Sequence, residues 1–194
     1  MAALIALLRG VNIGKAKRVP MAAFRKLLEE LGYSDVATLL NSGNAVFRAR
    51  AGTPKKHASD IAAAILRELK VDVPVIVKTA VELAAIVAEN PFAAEGPERS
   101  RLLVAFTQDP DALAGLSSIA SLVSPREKFL AGRHAAYLYC ANGILQSKAG
   151  EALLGKAGKH ATTRNLATTL KLCELAKAAG LAESVSSATR IRKH

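Results

Sequence analysis

The sequence predicts an α+β fold of two tandem modules, each a β-α-β-β-α-β unit followed by one further helix. Three observations predict it. The same order of apolar runs and helical periodicities occurs twice, the strands are short enough to be buried, and tight turns join the second and third strand of each half. A split unit of this kind with an antiparallel sheet is ferredoxin-like. The 194 residues suffice for two such units. The expected division is a first module over 1–94, a second over 95–180, and a basic, flexible tail over 181–194. The junction between the modules is expected near 91–99.

Residues 3–8 form an unbroken apolar run, as in a central strand covered on both faces. The stretch 9–19 is rich in Gly, Asn and Lys and reads as a loop. Pro20 suits the first position of a helix, Met21, Phe24, Leu27, Leu28 and Leu31 follow at helical spacing, and Gly32 ends it. Strands are expected at 36–40 and 45–49, with Asn41-Ser-Gly-Asn44 supplying hairpin chemistry between them. A helix over 56–69 presents Ile61, Ile65 and Leu69 on one face. The strand at 73–77 contains Pro74, which places it at a sheet edge. Thr79 and Glu82 have capping-box spacing for a helix that stops before Asn90-Pro91.

The second half repeats this order without obvious sequence identity. Residues 102–106 read as a buried strand, and Asp109-Pro110 opens a helix. Strands at 127–130 and 135–140 flank a turn at Gly132-Arg133. Ser147 caps a short helix, 160–164 is the last strand, and Asn165 caps a long helix expected to end at Gly180.

Composition narrows the class. Hydrophobic residues make up 51% and charged residues 22%, as in a globular chain rather than a disordered one. Aromatics are only 4%, with no Trp, so aliphatic residues build the core and few rings remain for stacking on bases. No apolar stretch approaches the roughly 20 residues that cross a bilayer, so no membrane association is expected. The N-terminal run also lacks the flanks of a signal peptide. The two cysteines, Cys140 and Cys173, form no disulfide framework, which fits a reducing cytoplasm. The net charge of +11 favours encounters with polyanions, although a soluble basic protein with no nucleic-acid role carries such a charge equally well.

Topology gathers the polar residues. In the split unit the first strand is antiparallel to the third, so the loop after strand one and the hairpin between strands two and three leave the sheet at one end. Arg9, Gly10, Asn12, Gly14 and Lys15 should therefore meet Asn41, Ser42, Gly43 and Asn44. Lys17 and Arg18 add charge, and the helix that starts at Pro20 points its positive end nearby. These are the ingredients of an anion or phosphate site; the competing reading is that Gly and Asn merely shape turns. Walker A chemistry is excluded, because only three residues separate Gly10 from Gly14 and Ala16 follows Lys15.

The same residues carry a family resemblance. Leu7-Leu-Arg-Gly-Val-Asn-Ile-Gly14, Val19-Pro-Met21, Asn41-Ser-Gly-Asn44 with Val46-Phe47, Asn90-Pro-Phe92, and Thr163-Arg-Asn165 with Lys171-Leu172 occur in that order. The chain thereby resembles the bacterial domain of unknown function 1697 family over roughly 3–179. The resemblance implies two ferredoxin-like repeats and no established activity. This chain departs from the family pattern at Lys15, where a second Gly is common, at Asn41, where Gln is common, and at Leu166-Ala167, where the family has Trp-Asn.

Other motifs carry less. Arg164 before Asn165 is a candidate second anion-binding corner, against the simpler reading of Asn165 as a helix cap. Tyr137 and Tyr139 alternate on a strand where an RNA-recognition module displays aromatics, but the rest of that pattern is missing and ordinary packing is the better reading. His57, His134, His160 and His194 are isolated, so no metal site is nominated, and no motif implies a cofactor. The sequence does not determine an activity. Its leading reading is a binding module for an anionic ligand (a nucleotide, phosphometabolite or nucleic acid) at the loop end of the first module. An enzyme using Lys15 or Ser42 in the same pocket, and a scaffold or homo-oligomer without a small ligand, remain as alternatives.

Overall fold

A computed structural model of the chain describes residues 1–14 and 17–191, with 181–191 described in backbone alone. The first apolar run becomes β1 (Ala2–Leu8), in which Ile5 to Leu8 have no exposed surface. The chain continues through α1 (Met21–Glu30), β2 (Ser34–Leu39), β3 (Asn44–Ala49), α2 (Pro54–Leu69) and β4 (Val75–Thr79). The four strands form one antiparallel sheet in the order β2-β3-β1-β4. Leu4, Ala6 and Leu8 alternate onto the face that packs on Phe24 and Leu28 of α1 and Ile61 and Ile65 of α2.

Local chemistry sets the boundaries. Pro20 occupies the N-cap rather than the first helical position, and Gly32 turns the chain at φ +83° just past the C-cap Leu31. Thr53 caps α2 by accepting the Lys56 N–H at 3.2 Å, which starts that helix at Pro54. β4 begins at Val75 rather than at 73 and lies at the sheet edge, as the missing N–H of Pro74 requires.

The second sheet has the same antiparallel arrangement. α3 (Ala80–Glu89) precedes β5 (Leu102–Thr107), α4 (Pro110–Ala114), β6 (Lys128–Ala131), β7 (Ala136–Tyr139), α5 (Lys148–Leu154), β8 (Ala161–Asn165) and α6 (Leu166–Ile191). The strand order is β6-β7-β5-β8. Leu103, Ala105, Ala136 and Leu138 pack with Leu113, Leu116, Ile119 and Leu153 on one face. The helix opened by Pro110 lasts one turn and continues as a 3₁₀ segment, Gly115–Leu122. The Ser117, Ser118 and Ser121 hydroxyls each donate to the carbonyl three residues back, at 2.8, 3.3 and 2.9 Å, and so occupy carbonyls that an α-helix would use. Ser147 caps α5 through the Gly150 N–H at 2.9 Å. α6 continues past Gly180, because one glycine costs only about 1 kcal/mol relative to alanine. The side chains of the basic stretch 181–194 lie outside the described residues.

The chain forms two packed units, Met1–Ala80 with the residues from Leu172 onward, and Val81–Lys171. α3 therefore packs with the second sheet although it follows the first in sequence. Its last residue, Glu89, is where a helix least favours negative charge. The β6–β7 turn compensates: the Arg133 and His134 N–H groups donate to the Glu89 carboxylate at 2.6 and 3.0 Å. The fully buried Tyr137 hydroxyl lies 2.7 Å from the Ile86 carbonyl and 3.0 Å from Glu89 Oε2. A Cβ at Gly132 would come within 2.5 Å of that carboxylate. Burial alone would raise the Glu89 carboxyl, but these donors outweigh it and hold it below the usual range.

The latch generates a pH prediction. Because the folded carboxyl is depressed, its contribution is complete above the unfolded value of 4.5 and is lost as pH falls below it. Glu89→Gln should cost about 2 kcal/mol at pH 7 and flatten the acid limb of stability against pH. Urea unfolding of both proteins from pH 7 to pH 3 checks this; parallel curves would refute it.

Candidate functional site

Antiparallel pairing sets Leu7 opposite Asn44, so the end of β1 and the start of β3 coincide. The Leu8 N–H donates to the Gly43 carbonyl at 2.8 Å. The loop after β1 and the β2–β3 hairpin meet there, as the strand order predicts. Gly43 sits at φ +76°, and a Cβ on it would lie 2.6 Å from Leu8 Cβ and 2.7 Å from Val11 Cγ2. Only glycine meets both demands. Asn44, fully buried, closes the hairpin by donating to the Leu39 carbonyl at 2.8 Å and to Ser42 Oγ at 2.9 Å.

Asn12 holds the two segments together. Its backbone is left-handed at φ +58°, a conformation asparagine tolerates better than most residues. Its carboxamide donates to the Val19 carbonyl at 2.9 Å and to the Asn41 carbonyl at 2.7 Å, and accepts the Val19 N–H at 2.9 Å. Its own N–H reaches the Lys17 carbonyl at 3.1 Å. The loop is thus folded back on itself and fastened to the hairpin, and both amide hydrogens of Asn12 are spent in doing so.

A cleft of about 330 Å³ opens beside this junction, lined by Asn12, Gly14, Arg18, Val19, Pro20, Met21 and Asn41. It adjoins the N-terminus of α1, which has no side-chain cap and no acidic residue in its first turn. The segments 9–20 and 40–44 contain Arg9, Lys15, Lys17 and Arg18 and no Asp or Glu.

The predicted residues divide by role. Asn12, Gly14 and Asn41 line the cleft, while Ser42, Gly43 and Asn44 build the turn behind it. Arg9 anchors the loop's other end, its N–H donating to the Pro74 carbonyl at 3.0 Å. Gly10, at φ +65°, is exposed on that loop. Lys15 lies outside the described residues. Sequence reasoning placed Arg18 among the surrounding cations but not in the site. It also missed Val19, Pro20 and Met21, although Pro20 as a helix starter was the available signal.

Arg164 and Asn165 belong to the second unit. Arg164 is 8% exposed and donates to Thr162 Oγ1 at 2.9 Å and the Thr163 carbonyl at 2.7 Å; burial pushes its guanidinium down to about 10. Asn165 caps α6 by accepting the Thr168 N–H at 2.9 Å. Tyr137 is enclosed by the Glu89 latch and offers no stacking face. Cys140 and Cys173 are buried free thiols, and burial pushes the Cys140 thiol up. Among the described residues no group of three His, Cys, Asp or Glu could hold a metal ion, and no helix is long and apolar enough to cross a membrane.

Asn12→Ala should cost about 2–3 kcal/mol, because it removes three hydrogen bonds and strands the Val19 and Asn41 groups. It should also raise amide exchange at Val19 well above the level expected from global destabilisation. Exchange at Val19 that rises no more than at β1 amides would mean that Asn12 does not hold the loop.

The fold has a counterpart among solved structures. A conserved bacterial protein, SP0830 from Streptococcus pneumoniae, superposes with a TM-score of 0.74 at 21% identity, covering 90% of this chain and 98% of its own. That likeness concerns the fold alone. No curated protein matches the sequence. A family model described as a protein of unknown function, DUF1697, matches residues 1–137, the stretch that contains the β1 loop, the hairpin and the cleft: the chain belongs to the DUF1697 family.

Proposed function

We propose that the protein is a binding module that takes an anionic small molecule, phosphorylated or carboxylated, in the cleft between the β1 loop and the β2–β3 hairpin. The observation that carries this reading is the uncapped N-terminus of α1 opening into a cleft lined by Arg18. The first N–H groups of a helix have no intrahelical acceptor, and the dipole there favours negative charge. No carboxylate in either loop competes. Gly10, Asn12 and Gly14 all take positive φ, so the loop turns sharply beside the cleft. In this reading Arg18 and backbone N–H groups bind the anion and Asn12 and Asn41 shape the cleft. Gly10, Ser42, Gly43 and Asn44 support it, and Arg9 and Lys15 add longer-range attraction. Arg164 and Asn165 are assigned to the support of β8 and α6 instead.

The same proposal treats the chain as two ferredoxin-like repeats, 1–94 and 95–180, followed by the basic segment 181–194. These are units of repetition, as distinct from the packed units. Register supports them: Ile5 lies opposite Val46 and Lys78, and Val104 lies opposite Tyr137 and Arg164. A buried cation thus occupies the same place in each edge strand. Two buried free thiols suit a reducing cytoplasm.

One charge-assisted contact and a helix terminus together contribute about 2–4 kcal/mol, which corresponds to millimolar affinity for a simple anion. Inorganic phosphate at constant ionic strength should therefore raise the melting temperature at millimolar concentration, with Arg18→Ala weakening the affinity about tenfold. Titration calorimetry gives the constants. Identical responses from wild type and Arg18→Ala would remove the cleft as the site.

A further inference from the structure

We propose that the loop 50–53, closed over the ring of His57, is an acid-triggered latch: protonation of His57 opens the loop and releases the cap of α2. His57 is the fourth residue of α2 and is 5% exposed, whereas residues 50–53 are all exposed. Its ring lies edge-on to Tyr33 and Phe47, with centroids 5.3 and 6.3 Å away. Nδ1 is 2.9 Å from the Tyr33 hydroxyl. Nε2 is buried without a well-formed hydrogen bond. Gly52 closes this side of the ring so tightly that a Cβ on it would come within 2.7 Å of Nε2.

This enclosure suits a neutral imidazole. In either neutral tautomer the Tyr33 hydroxyl can serve Nδ1, by donating to it or by accepting from it. The protonated ring carries two N–H donors, and Tyr33 accepts only one of them. A buried charged donor without an acceptor is costly, and displacing Gly52 is what lets water reach it. Desolvation holds the imidazole below its ordinary 6.5; Asp60 raises it, Lys56 lowers it and the Ala51 carbonyl raises it, without offsetting the burial. Asp60 and Lys56 are themselves paired at 3.0 Å. The positive end of α2 also disfavours a cation in its first turn. Burial and Asp60 push the Tyr33 hydroxyl up to about 12, so it keeps its proton. From β3 the ring meets Phe47, and Arg50, the charged residue of the loop, is exposed. His57 is thus the group here that titrates near neutral pH. Opening also has a defined consequence for α2. Thr53 accepts the Lys56 N–H on Oγ1 at 3.2 Å and the His57 N–H on its carbonyl at 3.0 Å, and movement of the loop withdraws both acceptors. Because the folded imidazole is depressed, the closed latch is fully favoured above 6.5 and is lost as pH falls through the folded value.

The test is an NMR titration of the His57 ring in the full chain, with amide exchange measured from about pH 7.5 to about pH 5, a range in which Glu89 stays ionised. His57 should titrate below 6.5. Protection of the Lys56 and His57 amides should fall about tenfold in step with it. That loss should lack the urea dependence of global unfolding, which β1 amides should show. His57→Phe keeps an aromatic ring and removes the titration, so it should make this protection independent of pH. Gly52→Ala places a Cβ against Nε2 and should hold the loop open. It should bring the His57 titration to about 6.5 and lower protection of the two amides even at the top of the pH range. A wild-type titration at or above 6.5, protection that ignores it, or a loss with the urea dependence of the β1 amides would overturn the latch. Should His57→Phe fail to fold, an unchanged His57 titration in Gly52→Ala would overturn it alone.

Discussion

The pairing of β1 with β3 governs the rest of the first unit. With Leu7 opposite Asn44, the chain leaves β1 where it enters β3, and two segments some thirty residues apart become neighbours. A slip of one residue would turn Leu4, Ala6 and Leu8 away from α1 and α2, so the buried face enforces the register. Once the register is set, Gly43 has no room for a side chain, because Leu8 and Val11 occupy it. Asn12 can then reach the hairpin carbonyl, and the loop closes over Val19. The cleft is what remains between a loop that has been fastened down and the helix that follows it.

Most of this architecture is legible in the residues. The apolar run of β1, the Gly32 stop, the Ser147 and Asn165 caps and the hairpin chemistry of Asn41 to Asn44 each act over a few positions, so local sequence reports them faithfully. What local sequence does not report is how polar groups are spent. Asn12 looks like a ligand-binding amide, yet both its hydrogens are committed to Val19 and Asn41. Arg9 and Arg18 are equivalent as letters, yet Arg18 lines the cleft whereas Arg9 does not and its backbone N–H bonds the Pro74 carbonyl. The short α4 has a similar cause, because serine hydroxyls take carbonyls that helical periodicity assigns to the backbone.

Two charged side chains in the second unit are met by hydrogen-bonding groups of the chain. Glu89 is compensated by the N–H groups of one turn and by the Tyr137 hydroxyl, Arg164 by the threonine hydroxyl and carbonyl beside it. Each bears on an element: Glu89 holds α3 to the β6–β7 turn, and Arg164 bonds within the edge strand that leads into α6. Leaving either group without its donors or acceptors would cost more than the interaction contributes when complete.

The placement of α3 bears on how the chain matures during synthesis. As the polypeptide emerges from the ribosome, β1 to β4 are available early, but α3 has nothing to grip until residues 132–137 have been made some fifty positions later. The first sheet, by contrast, finds its covering helices α1 and α2 within the same stretch of chain. The order of synthesis therefore differs from the order of packing at this one helix. A nascent chain stalled between the two sheets would present an orphaned helix to the cell's chaperones.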